Sequence, residues 1–163
     1  MSAVFRPVQD GDFVFRLLEL SDYEKGICRV LGQLTEVGNV TKEQFARRFN
    51  EFRQQGDTYF VVVCEDLAKR QVAGCATLMV EKKIIHDCGS CGHIEDVVVD
   101  STYRGKNLGL KLIQHLRDIG ERLGCYKIIL DCSEKNVPFY ERTGFTKKEV
   151  QMVCYIPQKK AAL

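Results

Sequence analysis

Residues 93–109 have the residue types and the order of an anion-binding site. His93–Asp100 contains three consecutive valines and predicts a strand. A turn with two cations and a glycine (Arg104–Lys106) follows, and the spacing of leucines predicts an amphipathic helix over Lys106–Leu123. Such a turn points backbone N–H groups and the positive end of the helix dipole at one place, which suits a phosphate. By itself a basic turn is more often a solvated loop, and the P-loop pattern GxxxxGK[ST] is absent.

The elements before this segment are predicted from hydrophobic periodicity. Three helices are expected in the N-terminal half: one capped by Asp12, one around Val30, and one after a capping box at Thr41–Gln44. Their apolar members are Phe13, Leu17, Leu18 and Leu20; Val30, Leu31 and Leu34; and Phe45, Phe49 and Phe52. Two antiparallel strands, Thr58–Glu65 and Val72–Ile85, are then expected, followed by a loop at His86–His93.

The elements after the segment complete a single sheet. Tyr126–Cys132 predicts a buried strand, Asn136–Gly144 a short helix, and Phe145–Ile156 a last extended stretch. Gly124 fits the C-cap of the long helix. Together these elements predict an α/β (α+β) fold, with one domain over residues 1–163 and a mixed, mostly antiparallel twisted sheet flanked by helices.

The composition excludes several functional classes. The net charge of +2 is too small for a nucleic-acid-binding surface or for a surface that binds anionic lipid. The chain has no run of about 20 apolar residues that could span a membrane. Its N-terminus lacks the apolar core of a signal peptide. We therefore expect a cytoplasmic protein that binds no nucleic acid and has no membrane span.

The eight cysteines are irregularly spaced, and several lie in apolar runs, which is typical of reduced thiols. Cys88 and Cys91 form a CxxC pair, but no second close pair completes a zinc site. We expect no metal and interpret the pair as loop thiols. A redox or zinc module centred on this pair is the weakest alternative, because it leaves most of the chain unexplained.

Several segments resemble a known family. IEDVVVDSTYRGKNLGLKLI (Ile94 to Ile113) and CYKIILDCSEKNVPFYERTGF (Cys125 to Phe145) resemble the acetyl-CoA-binding half of the Gcn5-related N-acetyltransferases, the GNAT superfamily. Within it, GHIEDVVV, RGKNLG, EKNV and FYERTGF, with LGQLTEVG and EKKIIH upstream, are similar to the glucosamine-6-phosphate N-acetyltransferases. The resemblance extends from about Val4 to about Cys154. It implies the GNAT fold with helices on both faces of the sheet, acetyl-CoA as co-substrate and an amino-sugar phosphate as acceptor.

The resemblance also implies where acetyl-CoA binds. The strand that includes Val97–Val99 would separate from its neighbour and pair with the pantetheine arm, and Arg104–Gly109 would hold the pyrophosphate. Tyr140 would approach the thioester sulfur and protonate the departing thiolate, although such a tyrosine is, without the resemblance, more simply a half-buried aromatic. The implied cofactor-binding set is Val97, Val98, Val99, Arg104, Gly105, Lys106, Asn107, Leu108, Gly109, Asp131, Asn136 and Tyr140, and the catalytic set is Tyr140, Glu95 and Asp131.

The implied acceptor site combines hydroxyl-binding and phosphate-binding residue types. Its members are Thr35, Lys83, Ile84, Ile85, His86, Glu95, Asp96, Val97, Tyr126 and Lys127. Glu95 and Asp96 are adjacent on a strand, so their side chains are expected on opposite faces. From the residues alone, Lys83 is more simply a solvated strand end and His86 a loop histidine. The resemblance further implies a homodimer whose sugar site is shared between the subunits.

Two positions depart from the pattern of the resemblance. Asn107 stands where the middle glycine of the phosphate-binding turn is usual, and asparagine tolerates the left-handed backbone that such a turn needs. Tyr155 stands where a phosphate-binding arginine is expected. Lys159 or Lys160 could supply that charge, although a flexible tail is the simpler interpretation.

The implied reaction is direct attack of the sugar C2 amine on the acetyl thioester in a ternary complex, as a step toward UDP-N-acetylglucosamine. Positioning of the reactants supplies much of the rate, and a backbone N–H, such as that of Val97, would stabilise the developing oxyanion. Cys125 and Cys132 are expected to be structural; a ping-pong route through a thiol is the alternative. Two other functions stay open: acetylation of another amine (a protein N-terminus, a lysine or a polyamine), and an acyl-CoA sensor without turnover.

Overall fold

A computed structural model describes residues 4–156, in which six strands form one sheet in chain order. The strands are β1 (Val8–Asp10), β2 (Phe13–Leu17), β3 (Tyr59–Asp66), β4 (Gln71–Lys82), β5 (Ser90–Val99) and β6 (Cys125–Leu130). Neighbouring strands are antiparallel except for β5 and β6, which are parallel. The predicted α/β class and the mixed, mostly antiparallel sheet are confirmed.

The helices are mostly short. They are α1 (Ile27–Leu31), α2 (Lys42–Gln54), α3 (Ile85–Cys88), α4 (Leu108–Arg122) and α5 (Val137–Glu141), with 3₁₀ turns at Leu20–Tyr23, Ser101–Tyr103 and Glu134–Asn136. The predicted capping box of α2 is present, because Thr41 Oγ1 accepts from Gln44 N at 3.3 Å and Gln44 Oε1 accepts from Thr41 N at 2.7 Å. Within residues 4–156 no helix is both long and apolar enough to cross a bilayer.

The alternation of side chains along the strands creates a core on each face of the sheet. On β3, Phe60 and Val62 are buried in one core, whereas Val63 is buried in the other. The first core is closed by α4 through leucines such as Leu112, and the second is closed by α1 through Ile27. Helices therefore flank both faces, as predicted.

The prediction of an N-terminal helix capped by Asp12 is wrong. The segment forms the β1–β2 hairpin, in which Gln9 pairs with Val14 and Gly11 turns the chain with a φ of 58°. Phe13 and Phe15 alternate with Val14, which suits a pleated strand, and β2 then pairs along its length with β3. Leu18 and Leu20 follow the strand, and Leu34 lies beyond the end of α1.

The predicted last strand is also absent from the described part of the chain. Residues 146–156 form neither helix nor strand, and their side chains are exposed. Two other boundaries differ: β4 ends at Lys82 rather than Ile85, and β5 begins at Ser90, inside the predicted loop. The phenylalanine stripe of α2 is half-buried rather than enclosed in a core.

Candidate active site

The pairing between β5 and β6 ends halfway along β5. The parallel register extends from Ser90–Cys125 to Ile94–Leu130, whereas β5 continues to Val99 and stays paired with β4. Within residues 4–156, the edge of residues 95–99 that faces away from β4 therefore has no strand beside it. Free N–H and C=O groups on such an edge can bind an extended, amide-containing ligand as an added strand would. We refer to this gap beside residues 95–99 as the β5–β6 opening.

A β-bulge lies at the start of the opening. The register of β5 against β4 shifts at Asp96, whose φ is 52°. Ile94 and Val97 both pack on the first core although they are three residues apart, which regular alternation does not allow. The expectation that Glu95 and Asp96 point to opposite faces rests on regular alternation, so it does not hold here. Both side chains are exposed.

Three carboxylates interact at the opening. Although Glu95 is exposed, partial loss of solvent around its carboxylate raises its pKa, and the negative charges of Asp96 and Asp131 raise it further. Asp131 follows the end of β6, and its Oδ2 accepts a hydrogen bond from Gln151 Nε2 at 2.9 Å. A carboxylate with a raised pKa takes up a proton more readily, which suits a group beside a reacting amine.

The turn after β5 is fixed by a buried aspartate. Asp100 Oδ1 accepts from Thr102 N at 2.9 Å and from Thr102 Oγ1 at 2.7 Å, and Asp100 Oδ2 pairs with the Arg29 guanidinium of α1. Burial raises the pKa of Asp100, but these hydrogen bonds and the arginine charge outweigh it and lower the pKa to about 2. Ser101 N donates to Gln33 Oε1 at 2.8 Å. Sequence reasoning missed this network, for which the Asp-Ser-Thr order after a strand was the available signal.

The backbone of the turn is left-handed at two residues. Gly105 has a φ of 83°, and Asn107, the residue before α4, has a φ of 59°. Asn107 therefore adopts the conformation predicted for it in place of glycine. The first N–H groups of α4 have no intrahelical partner, and no side chain caps them at Asn107. In the described part of the chain, a Cβ on Gly105 would have no atom within 4 Å, so the approach to this backbone is open. Leu108 is buried, and Gly109 contacts Phe139.

The two cations of the turn are exposed. The ammonium of Lys106 lies 5.3 Å from the centre of the Phe13 ring and 5.8 Å from that of Tyr103. Arg104 donates its backbone N–H to Ser101 O at 3.5 Å. The predicted contact of these side chains with a pyrophosphate stays a prediction.

Tyr140 lies on α5, which packs against the start of α4. A Cβ on Gly109 would lie 3.2 Å from Phe139 Cζ, so glycine permits this close approach. The ring of Tyr140 is half-buried between Phe139 and Phe145, at centroid distances of 4.9 and 6.3 Å. Burial raises the pKa of Tyr140, and Cys132 raises it further. The phenol therefore keeps its proton. Its oxygen either reaches solvent or has a hydrogen-bond partner. Asn136 precedes α5, four residues before Tyr140 and close to the same side.

A basic cluster lies at the other end of β5 and β6. Lys83 Nζ is 2.6 Å from Glu81 Oε1, and Glu81 Oε2 is 2.9 Å from His93 Nε2. The rings of His86 and Tyr126 lie 4.1 Å apart, and Lys127 Nζ is 5.8 Å from the Tyr126 ring centre. The short segment α3 is not a regular right-handed helix, because three of its residues, His86, Asp87 and Cys88, have φ values of 54°, 54° and 60°. Left-handed backbone is costly for residues other than glycine, so this turn stores strain. Ile84 and Ile85 beside it are exposed.

The predicted acceptor residues therefore divide into separate groups within one chain. The start of β6, with Tyr126, pairs near Ser90, whereas Glu95 lies five residues further along β5, or about 16 Å at the rise of a strand. Thr35 forms a third group. It follows α1, and its N–H donates to Leu31 O at 3.3 Å. The structure brings together Lys83, His86, Tyr126 and Lys127, and separately Glu95 and Asp96, but it does not unite the groups.

Two remaining sequence predictions concern the tail and the cysteines. Tyr155 is 88% exposed, and Lys159 and Lys160 lie outside the described residues. Cys88 is exposed, whereas Cys91 is buried. Within residues 4–156 no group of three or more His, Cys, Asp or Glu side chains is placed to hold a metal ion. The cysteine pair therefore has no further ligands in the described part of the chain.

Comparison with known proteins agrees with this geometry. The sequence profile of the Acetyltransferase (GNAT) family matches residues 26–145. Glucosamine 6-phosphate N-acetyltransferase 1 of Dictyostelium discoideum is 53% identical over 150 residues, which cover 92% of this chain and 95% of the relative. The crystal structure of glucosamine-6-phosphate N-acetyltransferase from Arabidopsis thaliana superposes with a TM-score of 0.87 at 48% identity, covering 89% of this chain and 99% of that one. A Trypanosoma brucei acetyltransferase structure superposes with a TM-score of 0.83 at 39% identity, covering 89% of this chain and 100% of that one.

The chain therefore belongs to the acetyltransferase (GNAT) family. Within that family, it groups with the relatives named glucosamine 6-phosphate N-acetyltransferase.

Proposed function

We propose that this chain, as one N-acetyltransferase domain, transfers the acetyl group of acetyl-CoA to the C2 amine of D-glucosamine 6-phosphate. The relatives that share about half of its sequence carry this activity in their names. The observation that carries the proposal is the β5–β6 opening, which has an unpaired strand edge along one side and a glycine turn with free N–H groups at one end. Tyr140 and the Glu95–Asp96–Asp131 carboxylates are the chemical groups beside it.

The residues at the opening fit acetyl-CoA. The free edge of residues 95–99 offers amide partners for a pantetheine arm, and Val97 and Val99 supply an apolar wall. The turn Arg104–Gly109 offers backbone N–H groups and a helix N-terminus for the pyrophosphate. Asp131 and Asn136 lie on the opposite side, after β6 and before α5. When bound, acetyl-CoA supplies the acetyl group as an activated thioester.

In the proposed reaction, the residues of this chain position the two substrates and transfer protons, and none of them forms a covalent bond with the acetyl group. Val97 N–H polarises the acetyl oxygen, on which negative charge develops as the amine nitrogen bonds to the carbonyl carbon. Tyr140 gives its proton to sulfur as the carbon–sulfur bond breaks, and its raised pKa keeps it protonated at neutral pH. Glu95, with its raised pKa, accepts the proton that the amine loses. Burial raises the pKa of Cys125 and Cys132, which disfavours a thiolate acyl carrier.

We further propose a homodimer in which the acceptor site is shared. The basic cluster around Tyr126 is too far from Glu95 to bind the same sugar phosphate within one chain. The outer surface of β6 and the tail also carry exposed apolar side chains, including Ile129, Met152 and Val153 at 40%, 89% and 67% exposure. Surfaces of this kind are typical of interfaces. A second copy that covers them brings its Lys83, His86 and Lys127 toward the Glu95 side.

The eight cysteines are unpaired, which favours a reducing compartment, and we propose a cytoplasmic location. The product, N-acetyl-D-glucosamine 6-phosphate, would serve UDP-N-acetylglucosamine biosynthesis.

The proposal is tested by CoA release from acetyl-CoA with four amines: glucosamine 6-phosphate, glucosamine, a lysine peptide and spermidine. We expect turnover with glucosamine 6-phosphate and little with glucosamine, because the basic cluster binds the phosphate group. Turnover with the peptide or spermidine alone would refute the sugar acceptor and leave the family assignment. Acetyl-CoA binding without turnover of any amine would indicate a sensor.

A further inference from the structure

The segment that follows α1 lies between the turn after β5 and a predicted acceptor residue. Gln33 is two residues beyond the end of α1, and its side-chain oxygen Oε1 accepts a hydrogen bond from Ser101 N at 2.8 Å. Ser101 is the first residue of the 3₁₀ turn after β5. Thr35, one of the predicted acceptor residues, is two residues further along the segment. Gln33 therefore connects the turn that precedes the proposed pyrophosphate site to the part of the chain that is predicted to contact the sugar.

Backbone hydrogen bonds hold Gln33 and Thr35 together as one unit. Gln33 N donates to Val30 O at 3.0 Å, and Thr35 N donates to Leu31 O at 3.3 Å. The side chain of Val30 is fully buried in the second core, which anchors this end of α1. Because both residues are bonded to the last turn of α1, a ligand that immobilises Thr35 also restricts the motion of Gln33.

The other end of the connection leads into the proposed phosphate-binding backbone. Ser101 O accepts the backbone N–H of Arg104 at 3.5 Å, which is a long and therefore weak hydrogen bond. Arg104 begins the segment whose N–H groups are proposed to hold the pyrophosphate. A change in the position of Ser101 is therefore transmitted to the first N–H group of that segment.

The segment from α1 to Gln33 contacts the turn at two points, and the two contacts differ in exposure. Arg29 pairs with the carboxylate of Asp100, which is fully buried, and this contact fixes the turn in the folded chain. Gln33 and Ser101 are both exposed. Their hydrogen bond competes with water, so the fraction of molecules that form it can change when a ligand orders either end.

We propose that Gln33 is a positioning residue that couples the two substrate sites. Binding of the amino-sugar phosphate at Thr35 favours the hydrogen bond between Gln33 and Ser101 and so orders the turn for the coenzyme. Binding of the coenzyme orders Thr35 in return. Such coupling is reciprocal, so each ligand raises the affinity for the other by the same factor. This inference rests on the proposed acetyltransferase function and deepens it.

The test measures the coupling factor with coenzyme A and glucosamine 6-phosphate, which cannot react because coenzyme A carries no acetyl group. Isothermal titration calorimetry gives the Kd of glucosamine 6-phosphate for the free protein and for the protein saturated with coenzyme A. For the wild type we expect the second Kd to be about fivefold lower, the lower end of couplings between sites. For Gln33→Leu the two Kd values should become nearly equal, because Ser101 N loses its acceptor. Gln33→Glu should preserve the factor, because a carboxylate oxygen accepts the same hydrogen bond.

Gln9→Leu is the matched control. Gln9 is also exposed, and its side chain also bonds to the backbone, from Nε2 to Gly11 O at 3.2 Å. It lies on β1, which is separated from β5 by β2, β3 and β4 in the sheet, and its replacement should preserve the wild-type factor. Equal losses of coupling in Gln9→Leu and Gln33→Leu would contradict a specific role of Gln33. Thermal unfolding of each variant verifies that it is folded.

A coupling factor of one in the wild type would overturn the inference. An unchanged factor in Gln33→Leu would also overturn it, because the coupling would then come from direct contact between the two ligands. In both cases, turnover of acetyl-CoA and glucosamine 6-phosphate by the same wild-type preparation leaves the acetyltransferase proposal standing. A wild-type protein that neither binds nor acetylates glucosamine 6-phosphate would refute the proposed acceptor and this inference with it.

Discussion

The turn after β5 and the basic cluster at the opposite end of the same strand are held in different ways. The turn is fixed from inside the chain: Asp100 is fully buried and collects hydrogen bonds from Thr102 and Arg29. The basic cluster lies mostly on exposed residues, with a strained left-handed turn at His86 and the Tyr126 ring tilted against that of His86. One chain can therefore build the proposed cofactor side alone, whereas the acceptor side lacks enclosing walls. We therefore expect the affinities for acetyl-CoA and for the amino sugar to respond to changes in different parts of the molecule.

Tyr140→Phe gives the largest effect that we expect on the cofactor side. Removing the proton donor should lower kcat by about 100-fold, the lower end for general acid catalysis, and should leave the KM for acetyl-CoA nearly unchanged. Because burial raises the pKa of Tyr140, the alkaline loss of wild-type activity should occur only at strongly alkaline pH, where the phenol ionises. The rate of the variant should not show this fall at alkaline pH, because it has no phenol to ionise at this position. Steady-state rates from pH 6 to 11 check this, and an unchanged kcat would remove Tyr140 from the chemistry.

Asp100→Asn tests how far the cofactor turn depends on one buried charge. The folded pKa of Asp100, about 2, lies below the usual aspartate value. Its contribution to folding, about 2 kcal/mol, is therefore present above pH 4 and lost as the pH falls toward 2. We expect the variant to be less stable at pH 7 and to lose less stability on acidification. Urea unfolding at several pH values measures both, and parallel pH profiles for the two proteins would contradict the assignment.

Lys127→Met addresses the acceptor side. We expect the KM for glucosamine 6-phosphate to rise about tenfold, because a charged phosphate contact is lost, while the KM for acetyl-CoA stays near that of the wild type. Mixing this variant with Glu95→Gln tests whether Lys127 and Glu95 act from different subunits. If the two residues act from different subunits, mixed dimers contain one intact site and recover activity. Failure of the mixture to exceed both parents, with exchange verified by mass spectrometry, would argue for a site within one chain.

Gly105→Ala should give the smallest effect. At a φ of 83° a Cβ introduces strain of about 1 kcal/mol, and we expect the KM for acetyl-CoA to rise a few-fold. Gly124→Ala is the control, because Gly124 also has a positive φ, 71°, and among residues 4–156 a Cβ there would likewise have no atom within 4 Å. It lies at the far end of α4 and should lose similar stability without a change in KM. Equal KM changes in the two variants would indicate a general effect of destabilisation.

Local patterns predicted the elements whose own sequence determines them. The capping box at Thr41 and the leucine spacing of α4 predicted these helices to within about two residues. The valines of β3 predicted its strand. The N-terminal hairpin was misinterpreted because Phe13, Leu17 and Leu20 match helical spacing, and pairing with β3, some fifty residues away, decided the outcome. In such short segments, pairing with a distant strand outweighs the local secondary-structure propensity.

The candidate site was predictable in type but not in arrangement. The glycine turn and the left-handed Asn107 follow from local rules. The bulge at Asp96 could not be predicted, because it depends on the register between β4 and β5. The separation of Tyr126 from Glu95 likewise depends on the parallel register with β6, which no local pattern encodes.

The bulge at Asp96 adds one residue to β5 relative to its partner strand β4. Before it, Ile94 packs in the core under α4. After it, Val97 and Val99 pack against that core and Val98 packs in the other. Without Asp96, the side chains of β5 would alternate between the two faces of the sheet without interruption. Deleting that residue would therefore leave Val97, Val98 and Val99 on the faces that they now occupy and would remove only the bulge. Asp96 is therefore an inserted residue that can bend the edge of β5 at the opening without changing which core each valine contacts.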